Sequence, residues 1–281
     1  MSVLISSFRL LRPHQWLKNL MLFFPPFLGG TLLQTGTLSK GLLPFIAFSL
    51  ASSAGYILND LMDRDADRNH PGKSVRPLAS GRVSVSTAAG MVAVLTIVSL
   101  LLAYTITAWF LFIVSAYLIV SGAYSCCLKK LPVVDLFCIS TGFLFRLQAG
   151  GIVFGIMVSE WLFLSVLLLS LFLSAGKRLS EKHILLDATA HRKVLEHYPE
   201  GFLDGVLFMT GSAVLVTYTM YTLSHRALLY SVPLCCFGLL RYIFRIKSGL
   251  GGQPTDTPLH DPRLFGVGVV WSIMVGWGIY I

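Results

Sequence analysis

The chain has 281 residues, of which 55% are hydrophobic and only 12% charged; its net charge is +9 and its mean hydropathy +0.74. Soluble domains carry about 25% charged residues, so a water-soluble globule is excluded and an all-α integral membrane protein is expected. The five cysteines (126, 127, 138, 235 and 236) show neither CxxC nor Cys/His spacing, so neither a disulfide framework nor a zinc site is indicated.

Apolar runs of about 20 residues, enough to cross a bilayer, predict nine helices near 15–34, 40–58, 85–105, 108–126, 134–154, 160–176, 203–222, 228–246 and 264–281. No cleavable signal peptide is expected, because Arg9, Arg12, Pro13, His14 and Lys18 interrupt the first 22 residues. Pro25 and Pro26 predict a kink in the first helix. After helix two the sequence turns abruptly from an uncharged run, 42–58, to the charged stretch LNDLMDRDADRNH (58–70). The connections at 105–107, 155–160 and 223–227 are short, whereas those at 60–84, 177–202 and 246–263 are long and basic. The opposite side keeps only Lys40 and Arg226. The positive-inside rule then places the N-terminus and the long loops on the cytoplasmic side of an inner membrane. One domain over 1–281 is expected. A long loop after helix two and another four spans later suggest a duplicated four-helix unit.

Asn59, Asp63 and Asp67 stand at i, i+4 and i+8, within about 80° of one another on a helix turning about 100° per residue. Asp60 lies beside this stripe and Tyr56 extends it one turn deeper, while Asp65 points elsewhere, into solvent. Carboxylates that share a face repel unless a cation lies between them. Oxygen ligands without nearby Cys or His suit Mg2+, which takes one or two carboxylates with phosphate oxygens and water. A Mg2+–diphosphate site is therefore expected, with Asn59 and Asp63 as first ligands and Asp67 or Asp60 assisting. The plainer reading is an acidic helix end paired with Arg64, Arg68 and Arg76.

The stretch NDLMDRDADRNHP (59–71) resembles the NDxxDxxxD signature of the UbiA superfamily of intramembrane prenyltransferases. The resemblance implies about nine transmembrane helices around a central cavity, opening here to the cytoplasmic side. Most members move a prenyl group from its diphosphate to an aromatic or other acceptor and usually carry a second acidic motif after the sixth span. Here that position reads LSAGKRLSEKHILLD (173–187), with Lys177 and Arg178 ahead of Glu181 and Asp187. The second site has turned cationic, which suits a substrate with more phosphate than one diphosphate.

Four other stretches agree: LRPHQWLKN (11–19) with Lys18, HPGKSVRPLASG (70–81) with Lys73 and Arg76, YSCCLKKLPVVD (124–135) with Tyr124 and Lys129, and the polar tail 241–264. With GFLFRLQAGG (142–151), these resemble the decaprenyl-phosphate 5-phosphoribosyltransferase branch over essentially the whole chain. That branch implies 5-phosphoribosyl diphosphate as donor, a polyprenyl phosphate as acceptor, Mg2+ as cofactor and a place in cell-envelope synthesis. No nucleic acid is expected, and an oligomer stays open. Lys18, Lys73 and Lys129 are expected on phosphate oxygens with Arg76 and Tyr124 beside them. Tyr56 bonds within the stripe, and Lys177 and Arg178 meet the donor's 5-phosphate. Arg146, inside span five, costs at least about 2.5–3.5 kcal/mol unless it has a partner; it is read as a phosphate contact, against an ion pair with Asp135 or another acidic side chain. A prenyltransferase using an aromatic acceptor is the nearest alternative, and a lipid-phosphate transporter the next.

Overall fold

Backbone N–H and C=O groups find no partner in hydrocarbon, so an apolar chain crosses it as helices that satisfy themselves. The computed structural model, which describes residues 3–69, 72–184, 195, 197–223, 226–251 and 261–281, contains no strand among them. Helix α1 (Val3–Leu10) leads into a 3-10 segment, Pro13–Phe23, and the short α2 (Phe24–Leu28). Then come α3 (Thr37–Met62), α4 (Arg64–Arg68), α5 (Val85–Ile106), α6 (Ala108–Cys126) and α7 (Val134–Phe154). The chain continues through α8 (Glu160–Ile184), α9 (Phe202–Leu223), α10 (Val232–Lys247) and α11 (Pro262–Tyr280). Among the described residues eight stretches are long and apolar enough to cross a bilayer: α3, α5 to α9, α11, and Ala227–Lys247, which contains α10.

The predicted first helix differs. Pro25 and Pro26 lack N–H groups, and a proline ring clashes with the preceding turn, so the 3-10 segment ends and a fresh α-turn begins at Phe24. The 11 residues of the 3-10 segment and the 5 of α2 still reach about 30 Å, the hydrocarbon thickness. So long a 3-10 run is poorly bonded by itself, and side chains stitch it to α3. Trp16 Nε1 donates to Ser53 Oγ (3.0 Å), and Asn19 Nδ2 donates to the Oγ atoms of Ser49 (2.9 Å) and Ser52 (3.3 Å).

Two apolar cores result. One joins the 3-10 segment, α3, α5, α6 and α7 through Leu22, Phe48, Phe110, Val114 and Tyr117. The other joins α7, α8, α9 and α10 through Leu136, Phe172, Leu207, Tyr242 and Ile246. Helix α7 touches both, and its glycines set the spacing. A Cβ at Gly150 would stand 2.1 Å from the carbonyl oxygen of Leu22, so only glycine admits the 3-10 backbone there. Gly155, at φ 69°, ends α7 in the left-handed conformation, with open space where a Cβ would stand.

An apolar cavity of about 370 Å³ lies among α2, α8, α9, α10 and α11, lined by Leu28, Phe172, Tyr218, Tyr242 and Trp271 and, among the described residues, by no charged side chain. The α11 end of this unit is fixed by Asp261, whose Oδ1 caps the helix by accepting from the N–H groups of Arg263 and Leu264. Its Oδ2 pairs with Arg241 (2.9 Å) and Arg245 (3.5 Å). Burial alone would raise the Asp261 pKa, but the Arg241 hydrogen bond and the two helix N–H groups outweigh it and hold the carboxyl below the usual value. Its stabilising effect is therefore complete above the unfolded-state pKa of about 3.9 and is lost as pH falls through the lower native value. Asp261→Ala should lower stability by about 1–2 kcal/mol at neutral pH. That gap should vanish in thermal unfolding curves recorded at progressively lower pH.

Candidate functional site

Chain reversal brings one end of α3, α6, α7, α8 and α10 to the same side as α1, and the paired charges gather there. Asn59 and Asp60 lie in the last turn of α3, and Asp63 caps it with φ −96° and ψ 2°. The backbone bonds continue across the break, Asp63 N–H to Asn59 O and Asp67 N–H to Asp63 O, so the acidic residues stay in one neighbourhood.

The single stripe read from periodicity is in fact two pairs. Asn59 Nδ2 donates to Asp63 Oδ2 (3.1 Å), and Lys129 Nζ donates to both Asp63 Oδ1 (2.6 Å) and Asn59 Oδ1 (3.3 Å). Lys129 comes from the short 3-10 turn after α6, Leu128–Lys130, and its side chain is 10% exposed. On the other side Arg76 Nη1 bridges Asp60 Oδ1 (3.0 Å) and Asp67 Oδ2 (2.6 Å). Arg12 Nη2 adds a second bond to Asp60 (2.5 Å), and Lys73 stands 3.9 Å from Asp67. The plainer reading of a paired acidic end thus describes Asp60 and Asp67, with Arg76 rather than Arg64 or Arg68 as partner. Asp65 points to solvent, 91% exposed beside Arg68. Tyr56 lies under Arg12, whose guanidinium carbon is 5.5 Å from the ring centre. Lys18 is half-buried in the 3-10 segment.

Four cations (Arg12, Lys73, Arg76, Lys129) therefore face three carboxylates. The cluster is close to neutral and cannot by itself balance a diphosphate. A divalent cation would supply that charge, and the donor set fits one: Asn59 Oδ1 and Asp63 Oδ1 are hard oxygens that already hold a cationic ammonium between them.

The second cationic position is occupied differently from the expected phosphate site. Arg178 is 1% exposed, and its Nε donates to Asp135 Oδ2 (2.7 Å), a carboxylate 0% exposed at the start of α7. Its Nη1 bonds Glu181 (2.9 Å) and its Nη2 the hydroxyl of Tyr124 (3.1 Å). Tyr198, which sequence reading missed, donates its hydroxyl to Asp135 Oδ1 (2.5 Å) and accepts from Val133 N–H (2.7 Å). Burial and the bond to that carboxylate both push the Tyr198 phenol up, so it stays a donor. Val133 needs this support: its φ of 68° is unfavourable for a β-branched residue. Lys177, next to Arg178, is half-buried, and Asp187 lies outside the described residues.

Arg146 does not reach Asp135, which Arg178 has taken. Its Nε donates to Asn19 Oδ1 (2.7 Å), Nη1 to Gly142 O (2.6 Å) and Nη2 to the Tyr117 hydroxyl (3.3 Å). The rings of Phe48, Tyr117 and Phe143 surround its guanidinium at 4.9–5.8 Å. It is a buried cation held by dipoles and ring faces inside the first core, about 16 Å along α7 from the acidic end.

The class that fold and cluster define is a many-helix membrane protein with acidic and basic side chains paired at one end of the bundle. The profile of the UbiA prenyltransferase family matches residues 22–256, and the chain belongs to that family. It is 35% identical over 276 residues to the decaprenyl-phosphate phosphoribosyltransferase of Mycobacterium tuberculosis, covering 95% of this chain and 91% of that one. It is 32% identical to the Corynebacterium glutamicum protein of the same name, over 96% and 86% of the two chains. Its fold matches a UbiA homologue from Archaeoglobus fulgidus bound to GPP and Mg2+, with a TM-score of 0.76 at 22% identity over 98% and 99% of the chains.

Proposed function

We propose that this chain transfers the 5-phosphoribosyl group of 5-phosphoribosyl diphosphate to the phosphate of a polyprenyl phosphate, releasing diphosphate. The observation that carries this reading is the cluster's composition: an oxygen ligand pair, Asn59 and Asp63, ringed by Lys129, Arg76, Arg12 and Lys73. The names of the relatives in Mycobacterium tuberculosis and Corynebacterium glutamicum support it. Donor and acceptor together bring several phosphates to one place, where their mutual repulsion at low dielectric is severe.

Asn59 and Asp63 would hold Mg2+, which when bound offsets charge on the departing diphosphate. Lys129, beside that pair, supplies an ammonium for oxygens of the diphosphate. Arg76, clamped through Nη1 by Asp60 and Asp67, presents its other nitrogens in a fixed direction. Positive charge develops at the anomeric carbon as its bond to diphosphate breaks, and a phosphate oxygen of the lipid attacks. A phosphate monoester is already nucleophilic near neutral pH, so the residues position rather than deprotonate. In this reading Lys18 and Lys73 serve the remaining phosphates, while Arg178 and Tyr124 hold α6, α7 and α8 together. The apolar cavity bounded by Phe172, Tyr242 and Trp271 suits the polyprenyl chain. The excess of Lys and Arg at the site's end supports an inner-membrane location with that end cytoplasmic, and the whole chain is taken as one domain. Incubating the purified protein with labelled 5-phosphoribosyl diphosphate, polyprenyl phosphate and Mg2+ should yield labelled lipid. Prenyl transfer to an aromatic acid with no labelled lipid would instead establish the family's commoner reaction.

A further inference from the structure

Lys129 holds a position that the proposed metal also needs. Its ammonium lies 2.6 Å from Asp63 Oδ1 and 3.3 Å from Asn59 Oδ1, between the two oxygens assigned to the divalent cation. Those contacts are what the packing around it leaves available: the side chain is 10% exposed, and Asp63 is the carboxylate it pairs with. A buried ammonium is costly unless paired, so Lys129 and Asp63 stabilise each other when no ligand is bound. A divalent cation placed on the same two oxygens would meet the ammonium at close range with nothing between them, and the two repel. An anion relieves the conflict. Diphosphate oxygens inserted between the metal and Lys129 attract both, and the flexible four-carbon stem lets the ammonium swing from the ligands to the anion. Arg76 cannot make the same exchange readily, because Asp60 and Asp67 both hold its Nη1 and Arg12 shares Asp60.

We propose that Lys129 is an internal counter-ion occupying the divalent-cation position of Asn59 and Asp63, and that it yields only when a diphosphate arrives. Metal then loads with the donor and not ahead of it, and the ligand pair keeps its shape in the interval. The inference rests on the metal assignment made above, but not on which group is transferred.

The test is a Mn2+ titration of the full chain in detergent, with free Mn2+ read by electron paramagnetic resonance, first alone and then with inorganic pyrophosphate. Without pyrophosphate, Lys129→Met and Lys129→Gln should bind Mn2+ more tightly than wild type by roughly tenfold or more. Lys129→Arg, which keeps the charge, should resemble wild type. Adding pyrophosphate should tighten Mn2+ binding strongly in wild type and little in the neutral variants. Neutral variants that bind Mn2+ no better than wild type would overturn the proposal, as would an arginine variant that behaves like them. Absence of Mn2+ binding in wild type even with pyrophosphate would overturn it together with the metal assignment. Tight Mn2+ binding by Lys129→Met, beside a wild type that moves no phosphoribosyl group, would support it and defeat only the transfer reaction.

Discussion

Asp63→Ala should lower phosphoribosyl transfer by roughly a thousandfold while leaving the protein folded. The substitution removes one of two oxygens proposed for the metal and the carboxylate that holds Lys129. Offsetting charge on a leaving diphosphate lowers the barrier by several kcal/mol, and each 1.36 kcal/mol is about one decade of rate. The cost to stability should be about 1–3 kcal/mol, since Lys129, 10% exposed, loses its carboxylate and keeps only Asn59 Oδ1. Asp65→Ala is the matched control: two residues away but 91% exposed, it should stay within about twofold of wild type in rate. Turnover rates and thermal unfolding in detergent, measured on both variants, separate loss of chemistry from loss of fold.

The largest effect on stability should come from Asp135→Ala. Arg178 would keep Glu181 and Tyr124 but lose the fully buried carboxylate bonded to its Nε, and Tyr198 would lose the acceptor that anchors it. Breaking one side of a buried pair costs about 3–5 kcal/mol because the other charge stays desolvated. Arg178→Met should be similarly severe, and the double variant should recover part of the loss, since the two effects are not additive across a contact. Thermal unfolding in detergent checks all three. The same variants decide what Arg178 does. A residue that binds the donor's 5-phosphate would weaken donor affinity on substitution without lowering the unfolding temperature.

The spans were legible because lipid demands long apolar runs, and α3 and α5 to α9 begin and end within a few residues of the predicted limits, apart from the longer α8. The first span was not, because apolar content says nothing about whether a proline-flanked stretch winds as 3-10 or α. The acidic motif stood out through its spacing, yet its division into two pairs depends on Arg76, sixteen positions away from Asp60, and on Lys129, sixty-six from Asp63. Periodicity along one helix carries no information about such partners. Arg12 and Tyr198 were missed for the same reason. The ion pair weighed as the alternative for Arg146 is excluded by helix geometry alone: Asp135 and Arg146 share a face of α7, but eleven residues at about 1.5 Å each set them about 16 Å apart. An arginine on an antiparallel neighbour was the better candidate, and Arg178 fills that place.

The proposed transfer requires a divalent ion, held by Asn59 and Asp63, that touches the donor's diphosphate. Pulsed electron paramagnetic resonance of Mn2+ in the purified protein, with 5-phosphoribosyl diphosphate added, measures that contact through the coupling to phosphorus. The expected result is a strong 31P coupling in wild type that disappears in Asp63→Ala and persists in Asp65→Ala. A wild type without phosphorus coupling, or an Asp63→Ala signal identical to it, would contradict the account.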